Sequence, residues 1–226
     1  EGKGLKVTVE DATRTYVCFD PSYAFPQPQV VGTIENQDLH SLDSLDMVIL
    51  VPSSNKLTAE AERLAQAHQA HDGLRVAVVR ADQVYNEFSS GTPDATAYRR
   101  FMKMLYDRAQ ADNQAPRYLL LFGDCAWDNR MLSNTWRNQS PADYLLCYES
   151  ENSFSSTTSY VMEDYFGLLD DGEGQNILRE KSDLGIGRFP VTTVAQAKAM
   201  VNKTLSHLNR EHSGNWRNIV MVLGDD

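Results

Sequence analysis

Cysteine is scarce in this chain: Cys18, Cys125 and Cys147 are the three among 226 residues. An odd number cannot make a fully paired disulfide framework, and their spacing matches no metal-ligand pattern. They read as buried small hydrophobes, the common place of a free cysteine. Histidine is sparse as well, at five residues, and none is well placed as the base that a thiol nucleophile needs. No apolar run approaches the ~20 residues of a membrane-spanning helix. Basic residues are outnumbered, 21 Lys and Arg against 31 Asp and Glu, for a net charge of −10. That balance argues against a nucleic-acid partner, which needs clustered cations. Acidic positions such as Asp170, Asp171 and Glu173 read as solvated surface charge. The opening Glu1-Gly2-Lys3-Gly4 is no signal peptide, so any export signal is expected to lie upstream or to have been removed.

Familiar reaction templates are missing too. There is no phosphate-binding G-x-x-x-x-G-K-[ST] loop, no G-x-S-x-G nucleophile elbow and no H-E-x-x-H pair. Gly185 and Gly187 lack the third glycine of a dinucleotide fingerprint. The acidic stretch 170–176 does not follow EF-hand ligand order. His68 and His71 stand one turn apart without a third ligand and read as surface residues. His207 and His212 close the last helix, where a cation complements the dipole, and His40 sits in a loop.

What is present is a globular composition, 42% apolar and 23% charged, sufficient for a full core. Residues 5–9 and 16–19 have strand composition, and Pro21, Pro26 and Pro28 punctuate the stretch after them. From Asp46 the pattern alternates. Continuous apolar runs at 47–51, 74–79, 118–122 and 219–223 predict strands covered on both faces. Between them lie amphipathic helices: one capped by Thr58 and ended by Gly73, one capped by Asp94, and one at 195–208. Strands alternating with helices predict a mostly parallel α/β sheet flanked by helices. The stretch between Pro141 and Pro190 departs from this. There 144–147 and 160–169 look like strands, and 183–189 is expected to pair with the latter as an inserted β-hairpin tipped at 170–174.

Ligands in open parallel sheets bind at the carboxyl ends of strands. Two apolar runs end there in acid, one at Asp124 and one at Asp225 and Asp226. Each aspartate alone also suits a turn cap; two on one edge favour a site.

Several segments then resemble the gingipain-type cysteine peptidases. They are 118–124 (Tyr-Leu-Leu-Leu-Phe-Gly-Asp), 151–160, 164–172 and 185–190 (Gly-Ile-Gly-Arg-Phe-Pro). Stretches 75–80 and 83–94 resemble the sortase-like branch of that family, which serves the type IX secretion system. The similarity covers about residues 30–226. It implies a caspase-like α/β fold and a catalytic dyad made of a His in a Gly-His-Gly loop and a Cys after a later strand. Neither motif occurs here, and Cys125 and Cys147 do not match the nucleophile. The resemblance therefore divides the chain into a lead-in at 1–45, a first sub-domain at 46–212 and the opening strand of a second at 213–226. The fragment itself is expected to be inactive.

The resemblance further implies a calcium ion held by Asp124, the Val161 carbonyl, Asp164 and the Phe166 carbonyl. Such oxygen donors suit a hard cation. The family's further Glu ligand falls at Leu168, so Glu163, Asp170 or water would stand in. Asp226, or else Asp225, is implied as the acid that orients the catalytic imidazole. The implied substrate is protein, with C-terminal export signals as the target. The implied location is exported, at the cell surface in association with outer-membrane secretion components. A gingipain-like peptidase of other specificity and a non-catalytic binding module are the rival readings. The flank of the 219–223 strand is expected to promote self-association.

Overall fold

The computed structural model describes residues 15–30, 32–34, 36–109, 114–150, 152, 155, 157–177, 179–222 and 224. The chain divides into two units, 1–36 and 37–226. In the first, the strand expected at 16–19 does not form; those residues are exposed extended chain. A segment without a ladder partner leaves its amides to water, and strand composition alone cannot change that. The Asp20 carboxylate accepts from the Ser22 amide at 2.9 Å, and Phe25 packs edge-on against Phe19 at 5.7 Å. The strand expected at 5–9 lies outside the described residues.

The second unit is built on a sheet of four parallel strands in the order β2-β1-β3-β4. These are β1 (Met47–Val51), β2 (Val76–Arg80), β3 (Tyr118–Phe122) and β4 (Gly185–Phe189). Helix α1 (Thr58–Asp72) connects β1 to β2; α2 (Ala81–Phe88) and α3 (Ala95–Arg108) connect β2 to β3; α4 (Val194–Leu208) follows β4. Alternation along β1 sends Val48 and Leu50 to one face and Met47, Ile49 and Val51 to the other. The first face packs on α2 and α3 through Val84, Tyr98, Phe101 and Met102. The second packs on α1 and α4 through Ala61, Leu64, Ala197 and Val201. Both faces are dry, which is why β1 is apolar at every position. Each fully buried Leu or Phe contributes roughly 2–3 kcal/mol of apolar transfer.

The α/β class holds, with corrections in detail. Thr58 does not cap α1. It is the first helical residue, and its hydroxyl is buried without a hydrogen bond. Gly73 does end that helix, in a left-handed conformation at φ 67°, and Asp94 does cap α3, accepting from the Thr96 amide at 2.8 Å. Helix α2 is an element the sequence pattern does not assign. Its amphipathic turns start directly from β2, with Gln83 accepting from the Arg80 amide at 3.0 Å.

The inserted β-hairpin is not formed. Residues 144–147 are not a strand, Glu163–Gly167 closes into a 3-10 helix, and the local pairing among the described residues is an isolated antiparallel bridge from Glu149 to Val161. Residues 185–189 join β3 in parallel instead. That choice satisfies the open edge of β3 and packs Phe189 at a tilt against Phe122, centroids 5.4 Å apart; a hairpin would leave the edge unpaired. The strand expected at 219–223 is also absent over its described part. Ile219, Val220, Met221 and Val222 pair with no strand and are 69–88% exposed.

Candidate site on the carboxyl edge of the sheet

The carboxyl ends of β1, β3 and β4 converge around Asp124. Its amide donates to the Val191 carbonyl beyond β4 at 3.1 Å, and its carbonyl accepts from Leu145 at 2.9 Å. Its carboxylate accepts from the Cys125 amide at 2.9 Å. Gly123 makes the approach possible. A Cβ there would lie 2.8 Å from Pro52, the residue after β1, and 3.3 Å from Leu145. The closed ring of Pro52 cannot yield as a flexible side chain would.

Arg188, in β4, ties this edge together. It donates to the Gly123 carbonyl at 2.9 Å and to the Leu146 carbonyl at 3.0 Å, and pairs with Glu163 at 2.8 Å. The guanidinium is only 11% exposed, so its partners supply what water cannot. Burial holds the Glu163 carboxyl above its ordinary pKa, although the Arg188 charge opposes the shift. One Glu163 oxygen is buried without a hydrogen-bond partner.

Cys125 is half-buried and Cys147 buried, the latter with its sulfur 3.5 Å from a Glu149 carboxylate oxygen. The hydrogen bond from Cys147 holds Cys125 down to about 7, and the same contact pushes Cys147 up. Arg188, Glu163, Asp124 and Glu149 are the charged groups around them. No imidazole is among these, so the pair is not a Cys–His dyad. The histidines lie elsewhere: His40 against Glu87 at 2.5 Å, and both His68 and His71 on Asp72, at 2.7 and 2.6 Å.

The implied calcium donors differ in what they have left to give. Val161 faces Glu149 across a bridge whose hydrogen bonds run from Ser150 to Tyr160 and from Met162 to Tyr148, so that bridge leaves its carbonyl unspent. After Phe166, the Leu168 amide goes to Tyr165 and the Leu169 amide to the Asp183 carboxylate, neither of them to the Phe166 carbonyl. Asp164 is exposed. One Glu163 oxygen is taken by Arg188 and the other is the orphan. Two carbonyls, two aspartates and an unsatisfied carboxylate oxygen are donors of the type that a hard cation takes. Asp170 accepts instead from the Tyr106 hydroxyl at 2.9 Å. Among the described residues, the His and carboxylate ligand atoms that converge within 4.8 Å are those of Asp38, His40 and Glu87, away from this edge. Asp225 and Asp226 lie outside the described residues.

The model of peptidase family C25 matches residues 40–226. The chain belongs to that family, the gingipain family of cysteine peptidases. This C25 chain is similar to dimeric latent PorU from Porphyromonas gingivalis, at 42% identity and a TM-score of 0.73, over 84% of this chain and 18% of that one. It is also similar to the Arg-specific cysteine proteinase gingipain R, at 16% identity and a TM-score of 0.46, over 76% of this chain and 30% of that one. No curated protein matches it. The C25 segment therefore spans less than a fifth of the PorU chain. One site feature is not visible in the sequence pattern, the Arg188–Glu163 pair. A charged residue inside an otherwise strand-like run, Gly-Ile-Gly-Arg-Phe, is the signal that marks it.

Proposed function

We propose that this chain is the N-terminal portion of an exported C25 cysteine endopeptidase of the PorU type, which cleaves C-terminal export signals from type IX secretion substrates. The observation that carries the reading is the 42% identity to PorU over 84% of the chain. In this reading a cysteine thiolate attacks the scissile carbonyl, and the resulting thioester is resolved by water or by an acceptor amine. The Cys–His dyad lies outside these residues, which contain no Gly-His-Gly loop. Asp226, with Asp225 as its alternate, orients the imidazole and stabilises its charged form. Calcium would be held by Asp124, Asp164 and the carbonyls of Val161 and Phe166, and would brace the loops of this edge. Partners are protein substrates and outer-membrane secretion components. No helix among the described residues is long and apolar enough to cross a membrane.

The test uses the full-length protein and a folded reporter carrying a C-terminal export-signal domain. Cleavage at the signal junction, abolished by thiol alkylation, is the expected result. Failure to cleave, or cleavage indifferent to alkylation, would overturn the reading. Asp226→Asn should lower turnover by as much as ~10⁴-fold, the effect of losing an imidazole-orienting acid; unchanged turnover in both Asp226→Asn and Asp225→Asn would remove that assignment.

A further inference from the structure

The stretch that carries helix α4 is charged against the rest of the chain. Residues 184–218 hold five Lys and Arg and the single acid Glu211, within a protein of net charge −10. A cavity of about 660 Å³ opens here between the end of β4, helix α4 and the 3-10 turn Asn215–Asn218, a size suited to a small ligand. Phe189, Met200 and Trp216 give it apolar walls, and Trp216 is 53% exposed. Lys203 and Arg217, with the imidazoles of His207 and His212, supply nitrogen on the other side. Among the described residues, no carboxylate lines it.

Arg217 is held in place yet short of an acceptor. Its guanidinium lies over the Trp216 ring at 5.3 Å, and a terminal nitrogen donates to the His207 carbonyl at 2.8 Å. Trp216 in turn packs at a tilt on the His207 ring, centroids 6.0 Å apart. The Arg217 Nε is buried with no hydrogen-bond partner. Leaving a buried donor unmet is costly, and a carboxylate oxygen would satisfy it through a charge-assisted bond. A guanidinium fixed before its ligand arrives loses little side-chain entropy on binding.

We propose that this cavity binds a small amphiphile with a carboxylate head and an apolar tail. The head meets Arg217 and Lys203, and the tail lies on Phe189, Met200 and Trp216. Apolar walls alone would admit any hydrophobe, and cations alone any anion; the combination selects a molecule that carries both. The exposed run 219–222 offers apolar surface as well, but it contains no cation and so cannot tell one head group from another. Binding here requires none of the peptidase chemistry.

The test is calorimetric titration of the full 226-residue chain with laurate below its micelle concentration. Dodecyltrimethylammonium, with the same tail and the opposite charge, is titrated beside it. Laurate should bind one per chain and at least ~10-fold more tightly than the ammonium, the order of one charge-assisted hydrogen bond. Arg217→Gln and, separately, Lys203→Gln should each weaken laurate toward the ammonium and leave the ammonium unchanged. Lys203 is exposed, so its variant decides the matter even where Arg217→Gln does not fold. The proposal is overturned by the lack of saturable laurate binding or by equal affinity for the two amphiphiles. Laurate binding unchanged in both variants would also overturn it, by placing the amphiphile elsewhere, such as on the 219–222 run.

Discussion

Asp46 shows how much one residue outside the candidate site contributes. It is 7% exposed and sits before β1, accepting from the Arg75 amide at 2.9 Å and its guanidinium at 2.8 Å. Arg117 approaches at 3.3 Å. The hydrogen bond from Arg75, against the cost of burial, lowers its pKa from 3.8 to about 2. A depressed carboxyl stabilises the fold above its unfolded value, and that stability is lost as pH falls through about 2. Asp46→Asn should therefore cost about 2 kcal/mol at pH 7. Urea unfolding at pH 7 and near pH 2 should show the gap between variant and parent closing; a gap constant with pH would refute this account. Arg188→Ala should cost about 3 kcal/mol, because Glu163 and two carbonyls lose their partner in a largely buried place. Neither role was legible in the sequence, where Asp46 marks only the start of a strand and Arg188 only part of a motif.

Helix α4 illustrates what short-range sequence does fix. Thr193 accepts from the Gln196 amide at 3.3 Å, and Gln196 accepts in return from the Thr193 amide at 3.1 Å. This reciprocal cap satisfies the amides of the first turn within four residues of sequence, and Thr193→Ala should cost about 1 kcal/mol, measurable as a lower urea midpoint. Helix α2 shows the opposite case. Its two short turns become stable only because Val84 and Tyr85 are buried under the sheet, a tertiary gain that local propensity does not contain. The 219–222 run reads as a strand by composition, yet without a ladder it remains exposed apolar chain. Such a run invites pairing. Val220→Lys should lower the weight-average mass seen by light scattering at high concentration, if the parent self-associates through it; equal masses would count against that route.

At the scale of the whole molecule, the sheet order brings the carboxyl ends of β1, β3 and β4 to one edge, and there Asp124, Glu163 and Arg188 meet. Calcium binding at this edge would link to stability, since a ligand that binds only the folded chain raises its melting temperature. Millimolar calcium should raise the melting temperature of the chain by several degrees, and Asp124→Asn should abolish the rise. A parent indifferent to calcium would remove the ion from the account. Asp124 was legible beforehand because a glycine and an aspartate end an apolar run. Its neighbours were not, since Glu163 reaches Arg188 across 25 positions of sequence.

The sequence by itself determined the α/β class, the alternating helices and strands around residues 47–122 and 194–208, the end of α1 and the start of α3, and the resemblance to the gingipain peptidases. These are legible because periodicity, caps and contiguous motifs are encoded within one or two turns of chain. The tertiary structure decided that residues 185–189 would join β3 rather than fold back as a hairpin, and that Arg188 would bind two carbonyls and Glu163. Each of those outcomes is a competition among distant partners for an unpaired edge or a buried charge. Such a competition is settled by which partner satisfies the most polar groups once the core has closed.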